Sequence, residues 1–290
     1  MFLLAFSVPA LLWAQDTNEA APIYQSNQEV IKIMREQNEG PQHEAFKIFD
    51  NLYYVGINFV SAYLIPTSDG LILIDATFDW SAGHLLNGVR EMGFDPKDIK
   101  HILVTHWHSD HYDGVPEIQK LSGATVGMVP EDWEDLPREL TFPKKKRLVI
   151  KDGDTLTLGD TTLKFYQTPG HTRGVLSIEY TLYDGDQAYK GFTDGGTGLN
   201  FSGVDNTLTY IESTKRILAM EGIQVNVANH AMMGNVFERA EALAARKPGD
   251  PHPFVAPEDF KTFVRSLITS AESKLDREKS RAERRQNRNR

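Results

Sequence analysis

Four side chains that commonly bind metal ions fall within six residues of this sequence. They are His106, His108, Asp110 and His111, and they follow directly on an apolar run at residues 102–104 that is typical of a β-strand. In an extended backbone, His106 and His108 point to the same side, whereas Asp110 and His111 lie beyond the bend and face elsewhere. This divergence favours two neighbouring metal ions over a single one.

Two further histidines follow predicted strands in the second half of the chain. His171 comes after a Thr-Pro-Gly segment, and His230 ends the run that begins at residue 225. With the first cluster they complete two sets of three ligands, which leaves each metal ion an open position for water, as catalytic zinc sites require. Two zinc ions about 3.5–4 Å apart can share a hydroxide that is nucleophilic near pH 7. The residues therefore predict a hydrolytic centre.

An aspartate and the remaining histidines need separate interpretations. Asp75 ends the apolar run 71–74. It can support the metal-binding loop from outside the metal shell, because ligating histidines donate their other N–H to a carboxylate or carbonyl group. It can equally be a turn residue at the end of a strand, and both interpretations stay open. Four histidines are interpreted as structural residues: His43, His84, His101 and His252.

The elements that would position these residues occur in two successive halves. In each half, short β-rich runs come first, and strands alternating with helices follow. The predicted strands of the first half lie at residues 46–48, 52–55, 62–65, 71–74, 102–104 and 125–129. Those of the second half lie at residues 155–158, 162–167, 175–180, 188–192 and 225–228. This order predicts an α/β fold of two sheets packed face to face with helices outside, a four-layer αββα sandwich. No long Pro/Gly/Ser-rich linker separates the halves, so we expect a single domain.

The two ends of the chain differ from this pattern. Residues 1–14 form an apolar run shorter than the roughly 20 residues of a membrane-spanning helix, which predicts a signal peptide and a periplasmic or secreted protein. A buried or interfacial N-terminal helix is the alternative. Residues 15–42 are expected to be a linker or arm, residues 43–280 the domain, and residues 281–290 a basic, solvated and frayed tail. We expect the mature form to have no membrane attachment.

Composition excludes several kinds of site and partner. The chain has no cysteine, which removes disulfides, iron–sulfur clusters and cysteine-ligated zinc. Any metal ion must therefore be held by histidine and carboxylate. The net charge of -9 argues against a nucleic-acid partner, whose binding requires a broad basic surface.

The motifs resemble those of the metallo-β-lactamase superfamily. The spacing of the cluster at residues 106–111, with Asp75 before it and His171 and His230 after it, is most similar to the class B metallo-β-lactamases of the third subclass. That subclass lacks the cysteine ligand of the other two. The resemblance implies two Zn²⁺ ions per chain, with His106, His108 and His171 as ligands of the first and Asp110, His111 and His230 as ligands of the second.

Three positions depart from the subclass and bear on the substrate. Trp107 is bulkier than the usual residue, and Arg173 replaces a proline. The segment 194–197, Asp-Gly-Gly-Thr, stands where the subclass has Asp-Ser, so the serine that would contact a β-lactam carboxylate is absent. Trp107 would either narrow the site or pack outward, and Arg173 would either bind an anionic substrate or lie at the surface as most arginines do. Thr197 is the candidate substitute for the missing serine.

The resemblance implies a zinc-dependent β-lactamase that acts on a small molecule and confers antibiotic resistance. A hydroxide on the zinc ions would attack the lactam carbonyl, and Asp110 would orient it and relay a proton. The alternative is a hydrolase of the same fold that acts on a lactone, thioester or sulfate ester, in which Asp194 would bridge the metals. A nucleic-acid processing role, suggested by the basic tail, is disfavoured by the net charge. The sequence leaves the oligomeric state and the native metal open.

Overall fold

The structure, a computed structural model, describes residues 40–137 and 144–288 of the chain. The segment predicted to be a signal peptide and nearly all of the predicted linker lie outside the described residues. None of the helices described is both long and apolar enough to cross a membrane.

Seven strands form the first sheet, in the same order as in the sequence. They are β1 (Phe46–Phe49), β2 (Leu52–Tyr54), β3 (Tyr63–Thr67), β4 (Gly70–Ile74), β5 (Ile99–Leu103), β6 (Thr125–Met128) and β7 (Arg147–Val149). Strands β1 to β4 pair antiparallel, whereas β4 to β7 pair parallel through helical crossovers. The carboxyl ends of β4 and β5 therefore meet at one edge of this sheet.

Five strands form the second sheet. They are β8 (Thr155–Leu158), β9 (Thr161–Gln167), β10 (Leu176–Asp184), β11 (Gln187–Thr193) and β12 (Val225–Asn226). Their spatial order is β12-β11-β10-β9-β8, and only the β11–β12 pair is parallel. In β9, Leu163 and Phe165 are buried while Lys164 between them is exposed, because successive side chains of a strand point to opposite faces.

Seven α-helices accompany the sheets in the described residues. They are α1 (Ala82–Glu91), α2 (Ser109–Tyr112), α3 (Val115–Ser122), α4 (Pro130–Asp135), α5 (Val204–Leu218), α6 (Val236–Ala244) and α7 (Pro257–Arg288).

Apolar side chains fill the spaces between four layers. The inner faces of the two sheets share one core, which includes Tyr63 and Ile74 of the first sheet and Phe165 of the second. A second core joins α1 and α3 to the outer face of the first sheet. On the far side, α5 and α7 cover the second sheet, where Val264 packs with Phe192. The predicted four-layer αββα sandwich in a single domain is confirmed.

Several elements differ from the sequence-based expectations. Helices α4 and α6 and the edge strand β7 were not predicted, because each is short and buries few apolar side chains. The expectation of a frayed tail from residue 281 was wrong, since α7 continues through Arg288. The end of the helix is exposed, as expected, but its Arg, Glu, Ala and Gln residues all have high helix propensity.

Candidate metal centre

All the predicted metal ligands follow strands or loops at one edge of the sandwich. Residues 104–108 leave β5 and lead into α2, which carries Asp110 and His111. His171 lies in the loop between β9 and β10, and His230 follows β12. The structure brings these loops together, although His106 and His230 are 124 positions apart in the sequence.

Three histidines form a compact group at the centre of this edge. The ligand-capable atoms of His106, His108 and His171 all lie within 4.8 Å of one another. Nε2 of His171 is 3.1 Å from Nε2 of His106 and 3.0 Å from Nδ1 of His108. The other ring nitrogens face carbonyl oxygens: Nδ1 of His106 is 2.8 Å from the oxygen of Gly195, and Nδ1 of His171 is 2.7 Å from that of Gly198.

These carbonyl contacts fix the tautomers of two rings. A carbonyl oxygen can only accept, so Nδ1 of His106 and of His171 must donate, and Nε2 of each neutral ring then carries a lone pair. Two lone pairs that face each other at 3.1 Å cannot hydrogen-bond. A cation between them satisfies both, and the three-histidine group therefore fits a divalent metal ion.

A second group adjoins the first. His106, Asp110 and His111 also have ligand-capable atoms within 4.8 Å of one another. Oδ2 of Asp110 lies 3.4 Å from Nε2 of His111. Nδ1 of His111 is 2.8 Å from Oδ2 of Asp75, which leaves Nε2 as the atom that faces Asp110. This Nε2 is buried and makes no hydrogen bond. Buried polar atoms normally have a partner, and a bound metal ion would supply one here.

His230, the third predicted ligand of the second metal ion, lies beside this second group but is not part of it, since His106 takes the third place there. Its Nε2 lies 3.7 Å from Oδ2 of Asp110, and its Nδ1 donates to the carbonyl oxygen of Phe59 at 3.2 Å. The ring of His230 stands perpendicular to that of His111, with 5.1 Å between their centroids. Oδ2 of Asp110 thus lies within 3.7 Å of the Nε2 atoms of both His111 and His230.

Burial keeps four of these histidines neutral. It lowers the pKa of His106 and His171 well below the usual value, lowers that of His108 to about 4 and lowers that of His230. Repulsion between the neighbouring rings adds to this effect in each case. Neutral imidazole is the form that binds a metal ion.

His111 and Asp110 form an ion pair. Burial lowers the pKa of His111, but the charges of Asp110 and Asp75 outweigh it and raise that pKa to about 10. Burial raises the pKa of Asp110, but His111 and His230 outweigh it and lower the pKa. The carboxylate is therefore ionised, and a divalent cation would compete with the proton of His111 for this position.

Asp75 connects the metal-binding loop to the first sheet. Its side chain accepts hydrogen bonds from the backbone N–H of Thr105 at 2.8 Å, from the Thr105 hydroxyl at 2.9 Å and from His111. Its backbone has a φ of +60°, and its N–H donates to the carbonyl of Leu103. The two interpretations from the sequence are therefore compatible, because a turn residue at the end of β4 also orients His111.

The expected substrate contacts differ in how they lie relative to the metal centre. Trp107 is half-buried, and its ring centroid lies 5.0 Å from that of His108. Arg173 is half-exposed at the surface, where its guanidinium donates to Asp135 at 2.9 Å and to Glu134 at 3.1 Å. The structure therefore does not bring Arg173 into the ligand groups, because its donors are bound elsewhere.

Thr197 lies in the glycine-rich loop and is buried. Its hydroxyl is 3.4 Å from Oδ1 of Asn229, so it faces the protein interior. Two residues before it, position 195 must be glycine, because a Cβ there would lie 2.1 Å from the carbonyl oxygen of Leu176. Position 195, where the subclass has a serine, therefore has no room for a side chain.

Asp194 lies at the end of β11 and is also buried. Its Oδ1 accepts a hydrogen bond from the backbone N–H of Gly196 at 3.2 Å, and burial raises its pKa to about 6. It belongs to neither ligand group found within residues 40–137 and 144–288.

The sequence reasoning missed the groups that orient the histidines. Three of them, Gly195, Gly198 and Phe59, act through backbone carbonyl oxygens. The fourth, Asn229, donates to the carbonyl of Gly195 at 2.9 Å. The run of glycines was the available signal, because glycine permits a close approach of backbone to side chain.

The fold is similar to those of solved metallo-beta-lactamases. The subclass B3 metallo-beta-lactamase BJP-1 of Bradyrhizobium japonicum superposes with a TM-score of 0.76 and 30% sequence identity, over 85% of this chain and 99% of that chain. For the FEZ-1 metallo-beta-lactamase of Legionella gormanii, the TM-score is 0.74 and the identity 26%, over 82% of this chain and 97% of that chain.

Curated relatives are more diverse. The lactamase-like protein adaB of Aspergillus niger is 27% identical over 161 residues, which are 54% of this chain and 45% of adaB. A hydroxyacylglutathione hydrolase of Cereibacter sphaeroides is 26% identical over 187 residues, 59% of this chain and 68% of the relative. The chain thus spans less than half the length of adaB.

The profile of the metallo-beta-lactamase superfamily matches residues 55–184. With the 30% identity and nearly complete coverage of BJP-1, the chain belongs to the metallo-beta-lactamase superfamily.

Proposed function

We propose that this protein is a β-lactamase that binds two zinc ions per chain. The facing lone pairs of His106 and His171 are the observation that carries the metal-dependent part of the proposal. A ligand set without cysteine and the similarity to a subclass B3 enzyme over 85% of the chain support the β-lactam substrate. Resistance to β-lactam antibiotics is the biological role that this activity would provide.

The residues of the chain would prepare the site for this reaction. When bound, zinc ions supply a water molecule of lowered pKa and polarise the carbonyl group under attack. Asp110 belongs to the second ligand group and is ionised, so we assign it to orient the attacking water by accepting a hydrogen bond from it. The carbonyls of Gly195 and Gly198 hold two imidazoles in the required tautomer.

A second candidate function is the hydrolysis of a thioester, lactone or sulfate ester. The match to hydroxyacylglutathione hydrolase and the glycine at position 195, where the subclass has a serine, both favour it. This function would also require Asp194 as a metal ligand, although Asp194 belongs to neither ligand group in the described residues.

A direct comparison of substrates tests the proposal. The purified chain is assayed with a chromogenic cephalosporin and with a hydroxyacyl thioester, before and after removal of metal by a chelator and re-addition of zinc. His171→Ala serves as the variant that lacks one metal ligand. We expect cephalosporin hydrolysis to exceed thioester hydrolysis in kcat/KM, to disappear with the chelator and to return with zinc. Faster thioester hydrolysis would establish the second function, and inactivity of the zinc-loaded chain on both substrates would contradict both.

Export is a separate part of the proposal. The apolar run at residues 1–14 supports a cleaved leader and a periplasmic or secreted location. Amino-terminal sequencing of the protein from its native host should give a start near Gln15 in the exported fraction. An intact Met1 on cytoplasmic protein would contradict export.

A further inference from the structure

Helix α4 carries a fully buried carboxylate that has no role in the chemistry proposed above. Asp132 has 0% of its surface exposed. Its Oδ2 accepts a hydrogen bond from the backbone N–H of Val175 at 3.1 Å. Its Oδ1 makes no hydrogen bond of normal geometry, and neither does the hydroxyl of Thr172, which faces the same carboxyl group. Such a poorly satisfied buried acid requires an explanation.

The hydrogen-bond partner of Asp132 has an unusual backbone conformation. Val175 has a φ of +58°, in the left-handed region that β-branched residues rarely adopt. A strained residue persists only where its surroundings determine its conformation. The carboxylate of Asp132 is one such determinant, because it fixes the direction of the Val175 N–H.

Val175 in turn closes the loop that carries His171. Its carbonyl oxygen accepts a hydrogen bond from the N–H of Thr168 at 3.1 Å, which brings the two ends of the loop together. The next residue, Leu176, donates its N–H to the carbonyl of Thr105 at 2.7 Å, directly before His106. The conformation at Val175 therefore sets the position of His171 relative to His106.

We infer that Asp132 is a positioning residue for the three-histidine group, acting through Val175 to hold the His171 loop. Close packing supports this assignment, since a Cβ at Gly174 would lie 2.5 Å from Cγ of Asp132. The backbone of the His171 loop thus packs directly against the carboxyl group of Asp132. The inference rests on the metal-binding part of the proposed function and is independent of the substrate.

Helix α4 also offers a matched control. Asp135 lies three residues further along the helix and binds the Arg173 side chain of the same loop. This ion pair is partly exposed and involves no backbone group of the loop, so it contributes little to loop geometry. Asp135→Ala therefore removes a carboxylate from the same helix without releasing Val175.

The test measures zinc affinity at the three-histidine group, by competition with a chromophoric chelator. All variants are made in a His230→Ala background, which leaves that group as the main site. We expect Asp132→Ala to weaken zinc binding by about 10–100-fold, as loss of support around metal ligands typically does. Asp132→Asn should stay within about threefold of the parent, because its amide oxygen can accept the same N–H. Asp135→Ala should leave the affinity unchanged.

A rescue variant separates loop positioning from general loss of stability. Glycine adopts a positive φ without strain, so Val175→Gly added to Asp132→Ala should recover most of the lost affinity. A purely structural role of Asp132 would predict no recovery, because Val175→Gly removes further apolar contacts. If Asp132→Ala does not fold, Asp132→Leu of similar size replaces it, with the same expected loss and rescue.

The outcomes distinguish this inference from the proposed function. Unchanged zinc affinity in Asp132→Ala, or a loss that Val175→Gly does not reverse, would overturn the positioning role while leaving the β-lactamase proposal intact. A parent protein that binds zinc but hydrolyses no cephalosporin would refute the substrate and leave the inference standing. A parent protein that binds no zinc would refute both.

Discussion

Oδ2 of Asp75 lies 2.8 Å from Nδ1 of His111, and the same carboxylate accepts two hydrogen bonds from Thr105. One buried aspartate at the end of β4 thus fixes both Thr105 at the start of the metal-binding loop and the ring orientation of the candidate ligand His111, six positions later. Its backbone φ of +60° places the carboxylate beneath the loop.

Replacing this carboxylate by an amide should weaken metal binding. Asp75→Asn keeps the left-handed backbone, which asparagine tolerates, but its NH₂ group cannot accept the hydrogen bonds of Thr105 and His111 that Oδ2 accepts. We expect zinc affinity and turnover to fall by about 10–100-fold, measured by chelator competition and by cephalosporin hydrolysis. Asp69→Asn, in the exposed turn before β4, is the matched control and should change neither. Equal zinc affinity in Asp75→Asn and the parent would refute this role.

The ligands could be predicted from the sequence because their side chains are chemically distinctive and follow recognisable strands. His171 and His230 belong to different loops, but each follows a predicted strand, which allowed both to be grouped with the first cluster. The groups that orient them could not be predicted in this way. Phe59 acts through its carbonyl oxygen, which every residue possesses, so its residue type carries no information about this role. At Gly198 the residue type shows only that backbone and side chain approach closely, and not that its carbonyl accepts from His171.

Arg173 shows a second limit of sequence reasoning. An arginine two residues after a candidate metal ligand left substrate binding and a surface position both open, and the fold gives the second by placing Glu134 and Asp135 beside it. Both carboxylates belong to α4, a short helix that apolar periodicity did not reveal because it buries little apolar surface. The position of the Arg173 side chain thus depends on helix α4, which the sequence pattern did not predict.

The two ligand groups should bind separate zinc ions. We expect the parent protein to contain close to two zinc ions per chain by elemental analysis, and His171→Ala and His230→Ala to contain close to one each. His84→Ala is the matched control, because His84 hydrogen-bonds to the backbone of His43 and belongs to neither group. Less than one zinc per chain in the parent, after growth with added zinc, would contradict the dinuclear centre.

Asp194 separates the β-lactamase function from the alternative. Its Oδ1 accepts the N–H of Gly196, and an asparagine can accept the same bond. We therefore expect Asp194→Asn to retain its zinc and most of its cephalosporin turnover. A carboxylate shared by two ions would behave differently, with loss of zinc and a fall in turnover of about 10–100-fold or more. Such a loss, together with faster thioester than cephalosporin hydrolysis by the parent, would favour the alternative.

Asp132 should make the stability of the metal-free protein depend on pH. Burial raises the pKa of this carboxyl from 3.8 to about 7, and the nearby charges of Asp135 and Glu131 add to the rise. Between pH 3.8 and about pH 7, the folded protein retains a proton on Asp132 that the unfolded chain has released. The free energy of unfolding therefore falls as pH rises from about 4 to above 7, by up to about 4 kcal/mol for a shift of this size.

Asp132→Asn removes this titration and keeps an acceptor for the Val175 N–H. We expect its stability relative to the parent to increase between pH 5 and pH 8, measured by urea denaturation of both proteins in the presence of a chelator. Near pH 5 the parent carboxyl is protonated, so the two proteins should differ least there. At pH 8 the parent holds a buried charge with one hydrogen-bonded oxygen, a cost that the amide avoids. Parallel stability curves at the two pH values would show that Asp132 is already ionised, or equally protonated, across the whole range.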